Sequence, residues 1–172
     1  MSSAYVTSHI EHGINTIEFF HPQSNSLPRR LLDELAKAIH AAGNDEDTKL
    51  VLIRSFGDKV FCAGASFDEL AAIRTKEEGL KFFSGFAQVI NAMRICPKLI
   101  IGRIHGKCVG GGVGLAAAVD YAIATEAAEA RQFLYFLLDR ALEMVAGRRL
   151  VQRQCFHAEL RLRLQVVRVD VE

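Results

Sequence analysis

The first apolar positions of the chain fall in two short β-favouring runs, Tyr5–His9 and Ile14–Phe20, parted by His12-Gly13. Such runs on either side of a glycine predict a hairpin that turns at Gly13. His21-Pro22-Gln23-Ser24-Asn25-Ser26 reads as a loop, and Pro28 stands near the start of a helix. The apolar positions of that helix, Leu27, Leu31, Leu35 and Ile39, recur at helical spacing, and Gly43 is expected to end it.

Leu50-Val51-Leu52-Ile53 shows no polar alternation, the pattern of a strand buried on both faces of a helix-covered sheet. Ser55-Phe56-Gly57-Asp58 then turns the chain away. Beyond Phe61–Ala65, the residues Leu80, Phe83, Ala87 and Ile90 mark a second long helix that must stop before Pro97. Its phenylalanines are expected in the core. Leu99–Ile104 predicts another buried strand, Val113 to Val119 a short helix, and Tyr121–Ala124 a further strand. Strands alternating with helices predict an α/β layer architecture.

From about residue 130 the composition shifts. All seven lysines lie at or before Lys107, whereas eight of the fourteen arginines fall between Arg131 and Arg168. Two units are therefore read: a core over residues 1–129 and an atypical Arg-rich tail over 130–172. Leu134, Leu137, Leu138, Ala141, Leu142 and Val145 predict an amphipathic helix there, and Leu160–Leu164 alternates like a strand. The tail reads either as an ordinary closing segment or as a frameshifted end.

The whole chain, 172 residues and 50% apolar, suits one soluble globular domain. With 21 Lys and Arg against 20 Asp and Glu, no overall field recruits nucleic acid or an anionic membrane. Cys62, Cys96, Cys108 and Cys155 form no CxxC pair, which argues against a zinc site and a redox motif. No apolar run is long enough to span a bilayer, and no signal peptide is read at the N-terminus. A cytoplasmic protein is expected.

Two glycine-containing turns carry the candidate chemistry, one at Gly64 and one at Gly110-Gly111-Gly112, each between a strand and a helix. A helix start presents unpaired N–H groups, and glycine lets backbone approach a ligand closely. A glycine triplet alone also serves packing of helix against sheet. Should the N–H groups of Ala65 and Gly111 converge, they would form an oxyanion hole for a carbonyl oxygen that gains charge.

The stretch Val60-Phe61-Cys62-Ala63-Gly64-Ala65-Ser66-Phe67-Asp68-Glu69-Leu70 resembles the first oxyanion turn of the crotonase superfamily, the enoyl-CoA hydratase/isomerase family. Ile104-His105-Gly106-Lys107-Cys108-Val109-Gly110-Gly111-Gly112-Val113-Gly114-Leu115, followed by Asp120, is similar to the second. His21–Leu27 resembles the family's early Pro-x-x-Asn-x-Leu segment, so the likeness runs over roughly residues 5 to 127. It implies an α/β crotonase-like ββα spiral core whose C-terminal helical part is truncated or replaced. It implies an acyl-CoA thioester as ligand, with CoA entering as part of the substrate and no separate cofactor or metal. The oxyanion donors map to Ala65 and Gly111, and Ala63, Gly64, Gly110 and Gly114 to the substrate-binding surface, with the adenine of CoA near Ala63. A homo-oligomer, the family's trimer or dimer of trimers, is also implied.

The sequence departs from that pattern where protons move. Gly114 stands at one of the family's glutamate positions, and ungapped counting puts Leu134 at the other. Glu126, Glu129 and Asp139 are nearby substitutes, though each reads more simply as a surface charge, as do Asp68 and Glu69. Ser66 stands where the family usually has aspartate, and His105 reads as structural. Two functions follow: an acyl-CoA enzyme of hydratase or isomerase type, or a non-catalytic acyl-CoA-binding or scaffold protein that has lost the acids. A Rossmann nucleotide binder is a weaker third, since GxGxxG is absent.

Overall fold

The computed structural model describes residues 3–125, 127–128, 130–131 and 167–168. The chain opens with the hairpin β1 (Tyr5–Glu11) and β2 (Ile14–Phe20), turned by His12 and Gly13 at φ 51° and 83°. Two positive φ values are what a two-residue hairpin turn of matching twist requires. β3 (Ser26–Leu27) leads into α1 (Arg29–Asn44), with Pro28 as its N-cap residue in extended conformation.

Next come β4 (Leu50–Ser55), β5 (Val60–Cys62), β6 (Gly64–Ala65), α2 (Phe67–Ala72) and α3 (Lys76–Ile95). They are followed by β7 (Leu99–Ile104), β8 (Lys107–Val109), α4 (Gly111–Ala117), β9 (Tyr121–Ala124), β10 (Ala130–Arg131) and β11 (Val167–Arg168).

The strands sort into a six-stranded sheet, β1-β2-β4-β7-β9-β11, a three-stranded sheet, β10-β8-β5, and the small pair β3-β6. Among the described residues, only the β1–β2 pairing is antiparallel. The chain thus repeats a ββα step, in which the first strand extends the large sheet and the second joins a smaller one. This is the α/β spiral that the resemblance implied.

Ile17, Phe19, Val51, Ile53, Ile100 and Ile104 join Leu31, Leu35 and Ile39 of α1 and Val89, Ala92 and Met93 of α3 in one core. Each fully buried aliphatic or aromatic side chain contributes about 1.5–3 kcal/mol.

Several expectations are corrected. Gly43 does not end α1, which runs on to Asn44; a Cβ at Gly43 would stand 3.2 Å from both Cys96 Sγ and Pro97 Cδ, so this glycine permits close packing. β4 is fully buried on one face only, through Val51, Ile53 and Ser55, while Leu50, Leu52 and Arg54 are half-buried. On α3 the buried positions are Gly85, Val89, Ala92 and Met93, whereas Leu80 and Phe83 are 73% and 71% exposed. Gly85 decides this face, because Leu32 of α1 packs where its Cβ would be. The short helix begins at Gly111, earlier than Val113, and ends at Ala117. The tail helix and strand predicted over residues 134–145 and 160–164 lie outside the described residues.

Candidate functional site

Both glycine turns fold as strand-to-helix junctions. Gly64 is buried at φ 92°, and Ser66 caps α2 by accepting the Glu69 N–H at 3.4 Å. Gly110, at φ 55° and ψ −124°, precedes α4, whose first residue is Gly111. The turns meet back to back. A Cβ at Gly64 would stand 2.9 Å from the Val109 carbonyl oxygen, 3.3 Å from the Gly111 nitrogen and 3.7 Å from the Gly110 Cα. Gly64, Gly110 and Gly111 are therefore one cluster, with Ala65 next along the chain. Gly114 is not part of that contact; its Cα faces Ile90 of α3, with Cδ1 at 3.3 Å from a built Cβ.

The early loop holds the first turn in place. Asn25, buried and at φ 54°, accepts the His21 N–H with Oδ1 and donates through Nδ2 to the Phe56 and Val60 carbonyls, all at 2.9 Å. Its own carbonyl accepts the Ala63 N–H at 3.4 Å. Ser26 Oγ donates to the Ala65 carbonyl at 3.1 Å, and β3 pairs in parallel with β6 through Ser26–Gly64 and Leu27–Ala65. Further on, the Arg29 N–H donates to Glu69 at 2.8 Å, which ties α1 to α2. None of these supports is visible as periodicity. Asn25 is the asparagine of the Pro-x-x-Asn-x-Leu segment, and its residue type suits the place, since asparagine tolerates positive φ and carries both donor and acceptor.

An open cleft of about 210 Å³ lies beside Ala63, lined by Gln23, Ser26, Ala63, Phe67 and Asp68. Gln23 Nε2 donates to Asp68 Oδ2 across it at 3.1 Å.

The remaining candidate groups have structural surroundings. Asp120 accepts the Ile100 N–H at 2.8 Å, and its own N–H donates to the Ile100 carbonyl, pinning the start of β7. His105 is buried and neither ring nitrogen has a partner among the described residues. Burial, then the Arg103 charge, hold its pKa below the usual value, with Asp58 acting the other way. Cys62 and Cys108 are register partners on β5 and β8; burial pushes both thiols up to about 12. No group of three potential metal ligands occurs among the described residues. Glu126, Glu129, Leu134 and Asp139 lie outside them.

A ββα spiral with two glycine turns meeting behind a strand-to-helix junction is the crotonase fold. The chain belongs to the enoyl-CoA hydratase/isomerase family, whose sequence profile matches residues 9–138. It is 38% identical over 105 residues to the methylglutaconyl-CoA hydratase, mitochondrial, of Rattus norvegicus, covering 61% of this chain and 33% of that protein.

Among solved structures, the enoyl-CoA hydratase of Bacillus anthracis superposes with a TM-score of 0.68 at 27% identity, over 75% of this chain and 50% of that one. An enoyl-CoA hydratase/carnithine racemase from Magnetospirillum magneticum shares the fold, with a TM-score of 0.73 at 22% identity over 98% of this chain and 70% of that one. The chain spans about a third of the length of the first of these relatives. No helix among the described residues is long and apolar enough to cross a membrane.

Proposed function

We propose that the chain binds an acyl-CoA thioester across the two glycine turns and acts as an enzyme of the enoyl-CoA hydratase/isomerase type. In this reading the thioester oxygen accepts hydrogen bonds from the N–H groups of Ala65 and Gly111. The supporting observation is the contact of Gly64 with Gly110 and Gly111. Gly111 opens α4, where an N–H has no acceptor within the helix. Two such donors stabilise the enolate or tetrahedral oxyanion that develops as the thioester reacts, by about 2.7–4 kcal/mol each. Ala63, Gly64, Gly110 and Gly114 are assigned to the substrate-binding surface, with CoA arriving as part of the substrate. The setting proposed is the cytoplasm, and the assembly a homo-oligomer.

Melting of the full chain with crotonyl-CoA tests the reading. A ligand at about 100 times its Kd adds about 2.7 kcal/mol, so a clear upward shift is expected with the thioester and a much smaller one with NAD. Equal shifts, or none with any acyl-CoA, would reject it.

A second reading, a non-catalytic acyl-CoA binder, is favoured by Gly114, which offers no side chain at a family acid position. The loss of crotonyl-CoA enoyl absorbance separates the two. A kcat of roughly 10 s⁻¹ or more identifies an efficient enzyme. Binding without turnover identifies the binder.

A further inference from the structure

We infer that two copies of the chain join edge to edge through β1, in antiparallel register centred on Ser8, so that their large sheets become one. The inference concerns assembly alone and stands apart from the thioester site.

β1 is an edge strand of the six-stranded sheet, and no described residue pairs with its outer side. Successive residues of an antiparallel strand point their backbone groups to opposite sides. Because Glu11 and Ile14 flank the two-residue turn, they form a hydrogen-bonded pair, and His9–Thr16, Thr7–Glu18 and Tyr5–Phe20 repeat it. The far side of β2 agrees, since the Gly13 and Phe19 carbonyls accept the N–H groups of Lys49 and Phe56 at the two ends of β4. Val6, Ser8 and Ile10 therefore direct N–H and C=O outward. Ala4, next in that series, has its carbonyl taken by Arg30.

These outward groups fix the register. A two-fold axis at Ser8 sets Ser8 against Ser8 of the second copy and Val6 against its Ile10, so every outward N–H and C=O meets its complement. Centred on Val6 or Ile10 instead, the strands would pair fewer of them. The side chains suit the same alignment. Val6 opposite Ile10 is an apolar pair that covers Ile10, which is 41% exposed. Thr7 faces His9 and Tyr5 faces Glu11, so no like charges oppose. The edge also lacks the usual guards against pairing: β1 contains no Lys and no Pro, and no bulge interrupts its register with β2.

Cross-linking of the full chain tests the register. The axis would bring the Cα atoms of the two Ser8 residues to about 5.5 Å, within the disulfide range of about 4.4–6.8 Å. With oxidised glutathione taking up the electrons and protons of the two thiols, Ser8→Cys should become a covalent dimer on a non-reducing gel. Glu11→Cys, opposite Tyr5 of the second copy, should pair no more than the wild-type chain with its native cysteines. Ile10→Lys changes an exposed position and places a charge on the edge. It should raise the dissociation constant in sedimentation by about tenfold and lower the Ser8→Cys yield. Equal cross-linking of Ser8→Cys and Glu11→Cys, or a yield that Ile10→Lys leaves unchanged, overturns the inference. So does a Ser8→Cys chain that forms no covalent pair, whose edge would then be covered by its own remaining residues. Should Ile10→Lys fail to fold, the comparison of the two cysteine variants still decides. Melting with crotonyl-CoA reads the thioester site separately under every outcome.

Discussion

Gly112 packs directly on the backbone of Cys62: a Cβ built at Gly112 would clash with the Cys62 carbonyl oxygen and stand 2.8 Å from its Cβ. That contact seats α4 on β5 and fixes how far apart the two turns stand. Gly112→Ala has no flexible neighbour to displace, so it should cost about 3 kcal/mol and lower thioester affinity. Gly114→Ala meets only the end of the Ile90 side chain and replaces a helical glycine. It should be neutral or stabilising by up to about 1 kcal/mol. Urea unfolding of both variants checks the contrast, which fails if the two behave alike.

Gly111 faces the Phe86 ring, three of whose atoms lie 2.6–2.7 Å from a built Cβ. Gly111→Ala should therefore cost about 1–3 kcal/mol and be relieved in combination with Phe86→Leu. Gly111→Pro removes the proposed donor and should lower thioester turnover by about 10²–10³-fold. Crotonyl-CoA turnover by each folded variant provides the measurement. Full activity in a folded Gly111→Pro variant would remove Gly111 from the oxyanion site.

Asn25 satisfies the Phe56 and Val60 carbonyls and the His21 N–H while standing at positive φ. Asn25→Ala leaves those groups without their partner and should lower stability by about 2–3 kcal/mol. Asn25→Asp keeps the acceptor but points a second oxygen at two carbonyls, so it should not rescue. A fall in the urea midpoint for both is expected. An unchanged Asn25→Asp variant would show that the Nδ2 donors contribute little.

His105 gives the fold an acid sensitivity of defined sign. Burial and Arg103 keep its folded-state pKa below the unfolded value near 6.5, with Asp58 opposing. As pH falls below about 6.5 the unfolded chain takes up the proton first, so stability declines through the folded-state pKa. It is fully present above the unfolded value. His21 is shifted in the same direction, mainly by burial, and adds to the slope. His105→Phe should flatten the loss of stability below about pH 6.5. Melting temperatures across that range test it, and an unchanged slope would assign the acid loss to other groups.

The parts of the fold that sequence made visible are those set by local pattern. The hairpin is announced by a glycine between β-favouring runs, and the two turns by glycines at strand ends. The surface of α3 was misjudged because Leu80 and Phe83 satisfy helical periodicity while Gly85 carries no hydrophobicity at all. The absence of a side chain there admits Leu32, a fact about a partner helix some fifty residues away in sequence. Gly43 was misread for the same reason, its role being set by Cys96 and Pro97. The meeting of the two turns was legible at their glycines. Its supports at Asn25 and Ser26 depend on pairings with residues 56–65 that no local window contains.

The strand order of the large sheet also constrains how the chain is made. From β1 through β2, β4, β7 and β9, each strand joins the edge left by the one before it, in the order of synthesis. A chain leaving the ribosome at about 5–20 residues per second can therefore build the sheet one strand at a time. Every intermediate exposes a single growing edge, and the next strand of that sheet to emerge is the one that covers it. The two turns follow another timetable. Gly64 emerges well before Gly111, so the face that later receives α4 is open to water, chaperones and neighbouring nascent chains until residues 110–112 arrive.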